Sequence, residues 1–433
     1  MKGTATGRVF YGWVIVGVMG ATGALSMALG SLNFGLFIRP MGDELGIGRS
    51  AFGWAQTSRQ LASAATSPLV GWLIDRFGSR VLLALAAAIT GAALVAMALV
   101  SQAWQMVALF AAMGLVGMSG PGALVTSVPV AKWFVRRRGM ALAVMSLGIP
   151  VGGVLFVPLT QMLIDGFGWR MAWVVLAALG AGIIVPLSLV LVRRQPEDLG
   201  LAPDGAVLAR GAADGPGTPA RNAPPPLAAE ETSWTLPEAL RSPTFWRLVL
   251  VFGLATLSTS TVALHRIPHF VDRGLDARLV SYATAMDAAL AGISTFFLGL
   301  LVRRVPARFL GAIAFALLGA ATYFTIVADS ATWLFLAMGV FGIGVGGWLL
   351  LQNYLWAEYF GRHHLGSIRG VVMPVTLVFG GAGAPVAGYV RDATGSYAAI
   401  WWAGAGLLLV AGLILALTPA PRQRLAAGPA PAR

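Results

Sequence analysis

Two ionisable residues of opposite sign stand deep inside apolar stretches of this sequence. Arg59 sits in the run 50–74 and Asp287 in the run 278–302. If each run is a helix across a bilayer, Arg59 lies roughly 13 Å from its outer end by helical rise. That is close to the middle of a hydrocarbon core about 30 Å thick, and Asp287 lies at a similar depth. A charge at the bilayer centre costs at least about 2.5–3.5 kcal/mol, so each must face a cavity or a partner. An arginine so placed can clamp a carboxylate through two parallel hydrogen bonds. Alternatively it holds helices together in an ion pair, with Asp287 itself one candidate partner. Asp287 can serve as a protonation site, because desolvation disfavours its charged form while a nearby arginine favours it. The competing readings are a permanent structural ion pair and a plain polar lining residue. If the clamp and the protonation site are both real, they are coupled: a substrate reaching Arg59 weakens the pairing and favours a proton on Asp287.

Other polar groups join these two. Gln56, Arg59 and Gln60 are spaced to share one helical face, which with Asn33 in the first apolar run suggests a cavity-lining stripe. Trp348 and Gln352, four residues apart, suit a substrate wall, against ordinary packing and interfacial aromatics. His265, Arg266 and His269 lie near the outer end of the run 244–268. Histidine titrates in the useful range, so His265 is a candidate for proton entry, against a solvated helix end. No cluster of metal ligands and no nucleophile–base constellation appears in these runs, so neither an enzyme nor a cofactor is expected.

The elements that must position these residues are membrane helices. Of the 433 residues 57% are hydrophobic and only 11% charged, against roughly 25% charged in soluble domains. Apolar spans fall near 11–38, 50–74, 80–100, 103–131, 139–164 and 169–192, then near 244–268, 278–302, 307–328, 331–357, 367–390 and 396–418. They make an all-α membrane protein of about twelve helices, each run near the roughly 20 residues that crossing requires. The first run is too long for a secretory h-region and lacks a small-residue cleavage site, so it is expected to remain as the first helix. The net charge of +13 does not indicate nucleic acid, because the basic residues lie in short loops between apolar runs. There is no cysteine, and so no disulfide or thiolate site.

Basic residues set the orientation. Lys132, Arg136, Arg137 and Arg138 follow span 4, and Arg303, Arg304 and Arg308 follow span 8, whereas the loops after spans 3 and 9 have neither Lys nor Arg. Even-numbered loops and both termini are therefore expected in the cytoplasm. The stretch 193–243 is rich in Pro, Ala and Gly, with Pro224-Pro225-Pro226, and reads as a mobile linker. A short amphipathic helix near Leu236–Leu240 is expected at the membrane surface. Domains follow as 1–192, an N-terminal six-helix bundle; 193–243, a cytoplasmic linker; 244–418, a second bundle; and 419–433, a cytoplasmic tail.

The two bundles repeat each other. An offset of 228 carries Gly71 onto Gly299, Arg76 onto Arg304 and Arg59 onto Asp287. An offset of 225 carries Gly114, Gly117 and Gly122 onto Gly339, Gly342 and Gly347, and 227 carries Gly153, Pro158, Asp165 and Gly168 onto Gly380, Pro385, Asp392 and Gly395. Parallel six-helix repeats with a substrate between them suit a rocking transporter.

The run Gly71-Trp-Leu-Ile-Asp75-Arg76-Phe-Gly78-Ser-Arg80 resembles the G-x-x-x-D-R-x-G-x-R loop of the major facilitator superfamily. There Gly71 permits close helix contact, Asp75 can meet a helix N-terminus or accept from an arginine, and Arg76 and Arg80 supply partners. Within that superfamily the chain resembles the monocarboxylate transporter and oxalate–formate antiporter group. The resemblance rests on Tyr11-Gly12-Trp13, on Trp133-Phe134 through Arg138-Gly139-Met140-Ala141 with Gly148 and Gly152, on Arg194–Leu201, and on Glu358–Gly370. It implies the major facilitator fold and secondary transport. The anion-binding positions depart from the group's pattern. Ser31 or Leu32 falls where animal members carry a lysine, Ala291 stands four residues after Asp287 where an arginine is usual, and span 11 has no basic residue at its centre.

The expected function is alternating-access transport of a small organic anion, foremost a monocarboxylate, with proton symport or anion exchange. One arginine facing an acidic partner suits a single negative charge better than two. The alternative is export of drug-like or neutral amphipathic compounds, with Arg59 and Asp287 as a structural or gating pair. A transporter-like sensor is disfavoured, because the linker is too short and too poor in pattern for a signalling domain. The expected partners are the anion, protons or a counter-anion, and the lipid bilayer. Abundant Ala, Gly and Arg point to a GC-rich bacterium and its inner membrane, and a monomer is expected because the fold needs no partner to close its cavity.

Overall fold

Backbone polar groups cannot go unsatisfied in hydrocarbon, so a chain this apolar must be helical or a closed barrel. The computed structural model describes residues 10–27, 31–116, 124–134, 137–193, 195–201, 204, 234–302, 304–361 and 364–421. These form helices and no strand. Most of the expected linker, most of the tail, and the residues Gly117, Gly122, Arg136, Arg303 and Pro224–Pro226 lie outside the described residues.

Helices lie at every expected span. Span 1 holds α1 (Tyr11–Met27) and α2 (Ser31–Leu45), and spans 2 and 3 are α3 (Arg49–Phe77) and α4 (Ser79–Met97). Span 4 holds α5 (Ala103–Leu115) and α6 (Leu124–Trp133), span 5 is α7 (Arg138–Ser146) with the first part of α8 (Gly148–Leu191), and the rest of α8 is span 6. After α9 (Leu236–Arg241), span 7 holds α10 (Pro243–Ala263) and α11 (Arg266–Asp272). The rest are α12 (Ala277–Leu301), α13 (Ala307–Val327), α14 (Ala331–Phe360), α15 (Leu365–Thr394) and α16 (Ala398–Ala416). Eight helical runs among the described residues are long and apolar enough to cross a membrane. One of these, Met140–Leu191, breaks at Gly168, whose φ of 78° is the left-handed region that glycine enters without a Cβ penalty. Gly395, its partner under the 227 offset, ends α15 at φ 75°.

The α9 helix is held by a reciprocal capping box between Thr235 and Glu238, while Leu236 and Leu240 pack on the hydrophobic core of the second half. Its apolar side is thus turned to protein.

The packing also corrects one register. A Cβ on Gly114 would come 2.3 Å from the Arg59 carbonyl oxygen, and one on Gly342 would come 2.3 Å from that of Asp287. These glycines let α5 close on α3 and α14 close on α12. Gly114 and Gly342 are therefore equivalent, at the same offset of 228 that relates Arg59 to Asp287. The expected 225, with Gly339 opposite Gly114, is three residues short: in a glycine-rich helix several offsets align glycines, and only the neighbouring backbone selects one.

Among the described residues, contact between the halves runs mainly down two helix pairs, and α2 also meets α11 where Gly35 abuts Ile267. Along α3 and α15, Gly388 abuts Ser50 and Gly53 abuts Ala384, and the Thr57 hydroxyl donates to the Gly381 carbonyl at 2.5 Å. Pro385 has no N–H for that carbonyl four residues before it, so Thr57 satisfies an acceptor the helix leaves open. Along α8 and α12, Gly153 abuts Ala288 and Pro150 abuts Gly292. Ion pairs tie the end where the loops after spans 1, 5, 7 and 11 lie. Arg49 Nη2 is 3.2 Å from both carboxylate oxygens of Asp272, and Arg278 Nε donates to Asp165 at 2.7 Å. Asp392 accepts from the backbone N–H groups of Arg49 at 2.8 Å and Ser50 at 3.0 Å. Asp165 and Asp392 correspond under 227, and Arg278 and Ser50 under 228, so each half places one aspartate on the first turn of the other half's helix.

At the same end Glu44 accepts from Arg170 and from the Trp169 indole. These two hydrogen bonds, that from Arg170 first, hold its carboxyl below the usual glutamate range. Any stability from this contact is present above the ordinary glutamate pKa of about 4.3 and is lost as pH falls through the lowered native value. Glu44→Gln should lower stability at neutral pH and flatten the acid limb of a stability–pH curve, leaving stability below both values little changed.

Candidate functional site

Arg59 projects from the middle of α3 and is 7% exposed, with its guanidinium over the Phe110 ring at 5.8 Å from the centroid. Phe110 packs on Phe34 at 4.3 Å, so an aromatic wall from α2 and α5 backs the cation. Asn33 and Gln56 are buried. Gln60 turns elsewhere: its side-chain oxygen lies toward Gly380 of α15. Residues 59 and 60 are successive on a helix and do not face each other, so the expected stripe divides between α5 and the other half.

Asp287, 3% exposed in α12, carries a salt bridge to Arg266, whose Nη2 lies 2.5 Å from Oδ2. Arg266 is itself 1% exposed, with its guanidinium 3.9 Å over the Phe341 ring of α14. Such a stack is worth about 2 kcal/mol when desolvated. The solvated helix end expected around His265 and Arg266 is therefore wrong. Span 7 continues past Ala263 through α11 to Asp272, so these residues lie inside the bundle, and His265 is 0% exposed. His269 is half-buried, with its ring 4.8 Å from Trp401.

Arg266 is the functional candidate that reading the sequence missed, although two signals pointed to it. Ile267, Phe270 and Val271 carry the apolar pattern beyond residue 266. The 228 offset also places Arg266 on Ile38, which is fully buried. Ala291 of α12 carries no cation, and the arginine that meets Asp287 comes from α11 instead.

The pair is not saturated. Arg266 Nε and Nη1 and Asp287 Oδ1 are buried without a hydrogen-bond partner among the described residues. Buried polar groups are almost always satisfied by protein, water or ligand. A guanidinium with spare donors beside a carboxylate with a spare oxygen can accept an anion on one side and a proton on the other. Trp348 and Gln352 of α14 are half-buried, and the Trp348 indole N–H has no partner among the described residues.

The gating motif spans the end of α3. Gly71 and Asp75 lie within that helix, Arg76 is exposed with its guanidinium 5.3 Å from the Trp72 ring and 5.6 Å from that of Phe77, and Arg80 is exposed. Gly78, at φ 77°, makes the turn into α4.

A sequence model of the Major Facilitator Superfamily matches residues 18–385. Monocarboxylate transporter 13 of Bos taurus is 28% identical over 419 residues, covering 94% of this chain and 89% of its own. The oxalate:formate antiporter of Oxalobacter formigenes is 23% identical over 258 residues, 59% of this chain and 55% of its own. A bacterial homolog of the human lysosomal transporter Spinster superposes with a TM-score of 0.66 at 16% identity, covering 95% of this chain and 96% of that one. The family match spans most of the sequence, and the chain belongs to the major facilitator superfamily: it is a multi-pass membrane transporter and not an enzyme.

Proposed function

We propose that the chain is a secondary transporter of small organic anions, foremost monocarboxylates, working by alternating access in a bacterial inner membrane with both termini cytoplasmic. The observation that carries this reading is the buried Arg266–Asp287 pair with donors to spare. An ionised Asp287 neutralises Arg266 through their salt bridge. A proton on Asp287 then frees Arg266 for substrate, as a deprotonated Asp287 competes for the same donors. This ties the proton to the anion, as symport requires. Asn33, Gln56, Gln60, Trp348 and Gln352 supply the polar and aromatic wall. In this orientation the ion pairs of Arg49, Asp272, Asp165 and Arg278 close the outer end, and Gly71, Asp75, Arg76, Gly78 and Arg80 serve the inner gate. The similarity to monocarboxylate transporters and to an oxalate:formate antiporter supports an anionic substrate, and the latter leaves exchange as the second coupling mode.

A thermal-shift screen of carboxylates at two pH values tests the reading, since a ligand for the native state raises its stability with saturation. A monocarboxylate should raise the melting temperature of the wild type, more so at the lower pH, and leave Arg59→Gln unmoved. A shift confined to neutral amphipathic compounds, or retained in Arg59→Gln, would overturn it.

A further inference from the structure

Span 7 is interrupted between Ala263 and Arg266, and the interruption is pinned from outside. The His265 Nε2 lies 2.8 Å from the Ala384 carbonyl oxygen of α15, and Nδ1 lies 3.3 Å from the Tyr397 hydroxyl. One neutral tautomer satisfies both contacts: Nε2–H donates to the carbonyl, and Nδ1 accepts from the tyrosine. The Tyr397 ring is stacked on Trp401 at 4.7 Å, whose indole donates to the Thr261 carbonyl of α10 at 3.0 Å. The histidine is thus locked to a rigid aromatic pair.

Ala384 faces the other half as well. A Cβ on Gly53 would sit 2.7 Å from the Ala384 carbonyl oxygen and 2.5 Å from the Pro385 nitrogen. The 384–385 peptide is therefore held between His265 on one side and α3 on the other. The residue after His265 is Arg266, which carries the charge pair with Asp287. A continuous path thus runs from Asp287 through Arg266 and His265 to Ala384 and the seam between the halves.

We infer that His265 is a positioning residue that couples the state of the Arg266–Asp287 pair to the closure of the α3–α15 seam. This rests on the reading of that pair as the transport site. When Asp287 is neutralised or Arg266 is drawn to a substrate, the first turn of α11 relaxes, and the two His265 hydrogen bonds carry the shift to Ala384. Packed cores and hydrogen-bond networks with two discrete arrangements transmit such a bias. Without His265 the pair and the seam respond separately.

The absence of cysteine from the chain makes the test direct. Ser50→Cys places one thiol on the seam, and its modification rate is measured in the full-length protein with a membrane-impermeant maleimide. Asp287→Asn removes the carboxylate charge, as a proton would, while its amide oxygen can still accept from Arg266, so no known substrate is required. It should change the Ser50→Cys labelling rate by about fivefold or more, the lower range of allosteric coupling. Adding His265→Ala should reduce that change to less than about twofold. His265→Gln, whose amide can still donate to Ala384, should restore it, which a general loss of fold would not allow. The inference is overturned if Asp287→Asn leaves labelling unchanged, if its effect and that of His265→Ala simply add, or if glutamine fails to restore the coupling. Failure of the carboxylate reading would appear instead as missing stabilisation by carboxylates, with this cycle intact.

Discussion

Replacing Arg266 with leucine is expected to destabilise the protein severely, and adding Asp287→Asn to the same chain is expected to restore most of the loss. Removing one partner of a buried ion pair leaves an uncompensated charge and costs about 3–5 kcal/mol. Here Asp287 is 3% exposed and Arg266 is its salt-bridge partner, so water cannot take over. The stack of Arg266 on Phe341 is lost as well. With asparagine at 287 no charge remains to be stranded, and replacing both members of such a pair is often close to neutral. Thermal unfolding in detergent reads the stability, and uptake into proteoliposomes reads transport. The double variant should fold and fail to transport. A single Arg266→Leu variant as stable as wild type would show that Asp287 needs no partner. A double variant that still transports would remove the pair from the mechanism.

Gly53→Val is expected to hold the α3–α15 seam apart. Its new Cβ would lie 2.5–2.7 Å from backbone atoms of Ala384 and Pro385, and backbone cannot swing aside as a side-chain tip can. Overpacking of this kind costs about 1–3 kcal/mol. Placed on one conformation only, that cost shifts a two-state equilibrium by roughly 5- to 150-fold. Labelling of Ser50→Cys should therefore accelerate by about that factor, and net uptake should fall while the helical content stays. Equal labelling with and without Gly53→Val would mean the seam does not open during transport.

Much of this arrangement was legible in the sequence. Composition and span lengths required a helical membrane protein, because lipid leaves few other choices for the backbone. The offsets of 227 and 228 reappear in space as Asp165 on Arg278 and Asp392 on Ser50. What sequence could not supply was the exact end of span 7 and the neighbour of each charge. Arg266 falls near the end of the expected run 244–268, followed by Ile267 and Pro268, so it reads like a solvated helix end. Only the continuation of α11 to Asp272 buries it. Likewise Gln56, Arg59 and Gln60 fall on one side of an isolated helix, but α5 and α15 meet that side from two directions. Periodicity gives a face. Neighbouring helices decide what each part of that face touches.

The central claim is that Asp287 takes up the proton that accompanies a carboxylate bound by the buried arginines. Uptake of a radiolabelled monocarboxylate by proteoliposomes tests it most directly, comparing wild type and Asp287→Asn in two modes: accumulation driven by an acidic exterior, and exchange against the same anion inside. The wild type should accumulate the anion under the pH gradient, while Asp287→Asn should lose accumulation and keep exchange. Equal loss of both modes, or accumulation that ignores both the gradient and the substitution, would contradict the account.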